Sequence, residues 1–287
     1  MTANQSTKHQ CNFDVAIDVP ITDFILTPLS CAHLVNEVMK NLLYQRSQIP
    51  YPYTWLKNIV SKKRESFDES KKRNFTLNRH FQIVSSAYDA AENIMSNISK
   101  HFSHLGSNLK EVIFVLGVSP VCPKEIYTVK VSSLANGHIE RNHVADNSKK
   151  QPRILRDIFL SEIWMGLLES SLTCCNMYIF LKVTGPQNNL TAMHKDTIFV
   201  PSKPLLFPSK TKHTVINLNY SNPSMCSCCD NLEVFQDFCD IESSIQPFDV
   251  KVDQTDEGSR EIWLQSKILF QGFKDCFINK VSACELW

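Results

Sequence analysis

Thiols carry the most recognisable chemical spacing in this sequence. Two residues separate Cys226 from Cys229, the gap that lets a pair of thiolates share one zinc ion, and Cys228 or Cys239 can add a third. A closed zinc site takes four ligands, and no second paired knuckle follows, so loop thiols are the plainer reading. His101 and His104 share a helix face without a third ligand nearby, which predicts a surface or capping role. Asp237 and Asp240 stand in sequence without periodicity, so nothing marks them as a general acid/base pair. No Gly-rich phosphate loop, His-Glu-x-x-His or Gly-x-Ser-x-Gly occurs. These residues predict a protein that is not an enzyme and takes no cofactor.

Composition narrows the classes further. The 287 residues are 43% apolar and 21% charged, which excludes a collagen-like or wholly disordered chain. Thirty Lys+Arg face 29 Asp+Glu, a balance that argues against a nucleic-acid partner. The longest apolar run, residues 112–118, is strand length and far short of the roughly 18 residues a membrane span requires. The N-terminus is polar and has no apolar signal segment. Eleven cysteines, with Cys31, Cys122, Cys174 and Cys175 inside apolar stretches, predict buried free thiols in a reducing compartment, cytosolic or nuclear.

The elements that must position any site follow from periodicity. Residues 1–10 read as a disordered lead, and 11–287 as one domain with polar loops at about 62–75, 136–151 and 221–258. Residues 12–18 alternate as a half-exposed strand. Thr27-Pro28 is an N-cap with Pro at the first helical position, opening a helix whose arc carries Leu34, Val35, Val38, Met39, Leu42 and Leu43. Pro50 and Pro52 stop it. A short helix is predicted over 54–62 and a long one over 76–104. Strands are predicted at 111–118, 125–132, 176–184, 197–200, 214–220 and 261–270. The strand at 111–118 is apolar on both faces and so belongs in the middle of a sheet. Helices before and between strands predict an α+β layer, a mostly antiparallel sheet backed by about three long helices.

Residues 153–170 predict a third helix with a peculiarity. At about 100° per residue, Ile154, Leu155, Ile158, Phe159, Leu160, Ile163, Trp164, Leu167 and Leu168 nearly encircle it. A helix packed on one sheet needs a stripe little wider than about 100°. Either its own chain buries it on both sides, or one side is a docking surface. Periodicity leaves both open.

Five collinear segments resemble the comet family, proteins that bind a checkpoint HORMA protein (Mad-two) and silence the spindle checkpoint. They are Leu43-Tyr44-Gln45-Arg46-Ser47-Gln48-Ile49-Pro50-Tyr51-Pro52-Tyr53 with Leu56-Lys57; Val115-Leu116-Gly117 through Ser119-Pro120 to Pro123-Lys124-Glu125-Ile126-Tyr127; Leu155-Arg156-Asp157-Ile158-Phe159; Phe207-Pro208-Ser209-Lys210 leading into 214–218; and Ile262-Trp263-Leu264-Gln265 with Phe270-Gln271-Gly272-Phe273-Lys274. The resemblance implies a HORMA-like fold with C-terminal strands in a closed-belt arrangement. It implies a non-catalytic adapter in the nucleus and cytoplasm, at the spindle or kinetochore in mitosis. Such an adapter binds the closed conformer of the mitotic arrest deficient 2 checkpoint protein by imitating its dimerisation, and presents it to a Pch-two-type AAA+ ATPase. It implies partner contacts at Gln45 and Phe159, with Leu155 and Arg156 beside them. The family's ATPase-facing Pro-Lys pair aligns with Pro201-Ser202, its basic residue displaced to Lys203. The alternative reading is another HORMA-class module, meiotic or structural, that captures peptides beneath its C-terminal belt.

Overall fold

The structure is a computed structural model describing residues 14–22, 24–65, 75–135, 140–185, 198–208, 210–220 and 260–286. In chain order, β1 (Asp14–Ile21) leads to α1 (Pro28–Gln45), α2 (Tyr53–Glu65) and α3 (Phe75–Leu105). Then come β2 (Leu109–Ser119), β3 (Cys122–Val131), α4 (Glu140–Phe159) and α5 (Glu162–Leu168). Strands β4 (Asn176–Gly185), β5 (Phe199–Ser202), β6 (Lys212–Tyr220), β7 (Arg260–Ser266) and β8 (Phe270–Gln271) follow. A small hairpin, β9 (Phe277–Ile278) with β10 (Val281–Ser282), and a 3-10 turn at Ala283–Glu285 close the described chain.

α1 starts as its sequence requires. The Thr27 hydroxyl accepts from the Ser30 N–H, the Ser30 side chain reaches back to the Thr27 N–H, and Pro28 follows. The predicted arc, Leu34 to Leu43, is buried.

Strand order is β1-β6-β3-β2-β4-β7-β5, with β8 pairing farther along β4. Pairings β1/β6 and β3/β6 are parallel and the others antiparallel. β2 is central, and Val112–Leu116 is fully buried on both faces. Side chains alternate across a strand, so Val112, Phe114 and Leu116 enter the main core with α1 and α3, while Ile113 and Val115 join a smaller cluster with Ile126, Phe180 and Trp263. β6 and β7, consecutive strands among the described residues, sit on opposite sides of β3–β2–β4.

Several expectations need correction. Much of the polar stretch 136–151 is helix, since α4 begins at Glu140. Two of its buried residues are polar, which apolar periodicity does not register: Asn147 donates to the Ile25 carbonyl and Gln151 pairs with the His33 ring. Residues 62–65 continue α2, and 66–74 lie outside the described residues. The predicted strand 261–270 is two strands, broken where the Ser266 hydroxyl turns back on Ile268. Cys122 is exposed although Cys31 is buried, and His101 is buried edge-on against Phe199 at 4.7 Å rather than at the surface. Residues 1–10 and 221–258 lie outside the described residues.

The largest correction concerns residues 153–170. They form two helices. Ser161 is extended (φ −62°, ψ 143°), donates its hydroxyl to the Ile158 carbonyl at 2.8 Å, and caps the Trp164 N–H. The all-round apolar circle places two separate helices, broken at Leu160–Ser161, on one axis.

Candidate partner-binding site

The stretch Tyr44–Gln48 at the end of α1 sends its side chains in different directions. Tyr44 is exposed. Gln45 is half-buried, and its Oε1 accepts from the Trp164 indole N–H at 2.5 Å. Arg46 turns inward and is 2% exposed. Ser47 takes a left-handed conformation (φ +55°) that ends the helix. Gln48 is fully buried: its Oε1 accepts from Cys175 N–H at 2.7 Å and its carbonyl from Phe273 N–H at 2.9 Å.

Arg46 ties the site to the sheet. Its Nε and Nη2 donate to Glu125 of β3 at 2.9 and 2.5 Å, a bidentate pair with both partners buried. Its Nη1 donates to the carbonyls of Leu167 and Ser170, each at 2.9 Å. One guanidinium thus neutralises a buried carboxylate and caps the end of α5. Burial opposes the charge on Arg46, but hydrogen bonding to Glu125 and attraction to Glu125 and Tyr127 outweigh it, so its pKa is raised and the group stays charged. Tyr127 donates to Glu125 at 2.8 Å, and burial followed by the Glu125 charge pushes its phenol pKa up, keeping it a donor.

α5 is held by this frame and presents Trp164. The indole is 1% exposed, tilted on Tyr127 at 5.8 Å, and meets the Phe159 ring edge-on at 5.0 Å. Phe159 itself is only partly buried. Next in sequence to these residues, Leu160 is 66% exposed and Met165 50%, so both helices carry apolar surface in water.

The structure therefore brings Gln45 and Phe159 together through Trp164, which sequence reasoning placed on the apolar circle without assigning it a role. Arg46, Glu125 and Tyr127 were also missed. No local pattern marks them: Arg46 stands between Gln45 and Ser47, and Glu125 follows exposed Lys124, so only the folded chain shows that they are buried together. Leu155 and Arg156 are not part of this cluster. Half-buried Leu155 lines a groove of about 410 Å³ between α1 and α4 with Leu29, His33 and Pro152, and Arg156 is exposed. A second cleft, about 630 Å³, opens beside Gln45 and is lined by Tyr44, Ile49, Pro50, Leu172, Phe273 and Asp275.

Over residues 3–229 the chain matches the family model described as "p31comet: Mad1 and Cdc20-bound-Mad2 binding". The chain belongs to the p31comet family. It is similar to the mouse MAD2L1-binding protein, 26% identical over 202 residues, 68% of this chain and 66% of that protein. It is also similar to the human MAD2L1-binding protein, 22% identical over 247 residues, 85% of this chain and 75% of that protein. The p31comet match includes Gln45, Phe159 and Trp164 and stops before β7.

Pro201, Ser202 and Lys203 lie apart, at the end of the edge strand β5, where Pro201 and Lys203 are exposed. Pro is tolerated on an edge strand because it lacks the donor a central strand needs. Cys226, Cys228, Cys229 and Cys239 fall outside the described residues. Among the described residues the potential metal donors that converge are instead His80, Asp275 and Cys284. No helix among the described residues is long and apolar enough to cross a membrane.

Proposed function

We propose that this chain is a non-catalytic adapter that binds Mad2 in its closed conformer and presents it to a Pch-two-type AAA+ ATPase, silencing the spindle checkpoint. The observation that carries this reading is the joint placement of Gln45 and Phe159 on Trp164, with exposed Leu160 and Met165 next to Phe159 and Trp164 in sequence. A half-buried aromatic beside a held indole has the composition of an interface hot spot. Binding of one Mad2 conformer over the other supplies direction, because equal affinity for both would shift nothing. A HORMA-like, closed-belt arrangement is supported by β6 and β7 lying on opposite sides of the sheet centre. Engagement of the ATPase is assigned to the exposed end of β5, with Lys203 as its cation, and the nucleus and cytoplasm as its setting.

Size-exclusion chromatography with purified closed Mad2 tests the first step. Wild-type chain co-elutes, and the Gln45→Ala/Phe159→Ala variant elutes apart while keeping its circular-dichroism spectrum. Absence of a wild-type complex refutes the reading. For the second step, the wild-type chain with Mad2 stimulates ATP hydrolysis by the ATPase and Lys203→Ala reduces that stimulation. An unchanged rate removes Lys203 from the role.

A further inference from the structure

The C-terminal tail rests on little secondary structure. β9 and β10 pair over two residues each, joined by Asn279 and Lys280, both at positive φ. An isolated two-stranded hairpin is marginal in water, yet the tail is closely seated. Tyr51 shares a hydrogen bond with Ser282 at 2.8 Å, the Ala283 N–H donates to the Cys276 carbonyl at 2.7 Å, and Ala283 and Cys284 are buried.

At the seat, three donors of different chemistry meet. His80 comes from α3, Asp275 from the strand-free stretch after β8, and Cys284 from the final 3-10 turn. Their ligand atoms all lie within 4.8 Å of one another, and His80 Nε2 is 3.6 Å from Asp275 Oδ1. The His80 and Asp275 side chains are 7% and 10% exposed, and Cys284 is 7% exposed. Imidazole, carboxylate and thiolate are the three ligand types zinc takes, at about 2.0–2.3 Å each. Tetrahedral ligands at those lengths stand roughly 3.3–3.8 Å apart, so modest side-chain contraction suffices.

We propose that His80, Asp275 and Cys284 form a zinc site that staples the C-terminal tail to α3. Three protein ligands leave the fourth position of the tetrahedron to a water molecule. The Cys284 thiol gives up its proton to solvent as the Zn–S bond forms, and no redox change accompanies it. The staple links segments about 200 residues apart in the chain, where loop closure is most effective. The site shares a cleft with Gln45 through Asp275 but uses none of Gln45, Trp164 and Phe159 as ligands, and its test does not depend on Mad2 binding.

The test uses the full chain with Cys226, Cys228, Cys229 and Cys239 changed to Ser, so that loop thiols cannot contribute. Titration with Co2+ alone produces one equivalent of tetrahedral cobalt with a thiolate charge-transfer band, and Zn2+ displaces it. In this background Cys284→Ser abolishes the band. His80→Gln weakens Co2+ binding more than about 100-fold, beyond the roughly 10–100-fold that outer-shell partners cost. Should Cys284→Ser lose its circular-dichroism spectrum, Asp275→Asn, at a partly exposed position, keeps the band but binds more weakly. A folded four-serine chain that binds no Co2+ overturns the proposal. So does a thiolate band retained in Cys284→Ser, or an affinity unchanged in Asp275→Asn.

Discussion

Phe159→Ala separates docking from packing. The ring is partly buried against Trp164 and the apolar core. Truncating a fully buried Phe costs about 3–5 kcal/mol. With part of this ring already in water, roughly half applies, about 1.5–2.5 kcal/mol on folding. A chain of this size loses roughly 2–4 °C in Tm per kcal/mol, so Tm falls by about 3–10 °C. On the proposed reading, Mad2 covers the remaining face. Burying it, together with the aromatic pairing, is worth about 2 kcal/mol or more, a loss of about 30-fold or greater in affinity on truncation. Trp164→Ala is the control: the indole is 1% exposed, so nearly the whole of its about 3–5 kcal/mol falls on folding. Guanidinium denaturation and calorimetric titration with closed Mad2 read the two quantities. If Phe159→Ala destabilises as much as Trp164→Ala, the ring is core. If its Mad2 affinity stays within about 3-fold of wild type, it is not a contact, and either outcome defeats the reasoning.

Gln45→Ala leaves the buried Trp164 N–H without its acceptor, at about 1–3 kcal/mol, whereas Gln45→Glu keeps an acceptor and most of the stability; equal denaturation midpoints would contradict the bond. Arg46→Met strands Glu125 in the core and costs about 3–5 kcal/mol. The double variant Arg46→Met/Glu125→Leu recovers most of that in urea unfolding, and a simple sum of the two single losses would deny the coupling. Gly272→Ala puts a Cβ 2.7 Å from the Cys175 carbonyl oxygen and 2.9 Å from Gln48 Oε1, so a loss of about 1–3 kcal/mol is expected; a wild-type thermal melt would show the backbones can part.

Local rules were legible where one residue's chemistry acts on its own neighbours. Thr27-Pro28 had to open α1, Pro50 and Pro52 had to follow its end, and a doubly apolar 111–118 had to lie inside a sheet. The failures share a cause. In the helix over 140–151, Asn147 and Gln151 make polar contacts to Ile25 and His33, more than 100 residues away, which hydrophobic periodicity does not register. Ser161 looked like one polar interruption in an apolar helix, although a serine can equally cap a new one.

The segment order by itself determined an α+β protein with a capped first helix, a central buried strand and the collinear segments that mark the p31comet family. Those features depend on short-range sterics, periodicity and residue identity, which a linear chain already contains. Only the folded chain decided that Gln45 meets Trp164, that Arg46 reaches Glu125 and the end of α5, and that Leu155 faces a different groove from Phe159. The Gln45–Trp164 and Arg46–Glu125 contacts join residues separated by tens of positions or more, which only three-dimensional packing brings together.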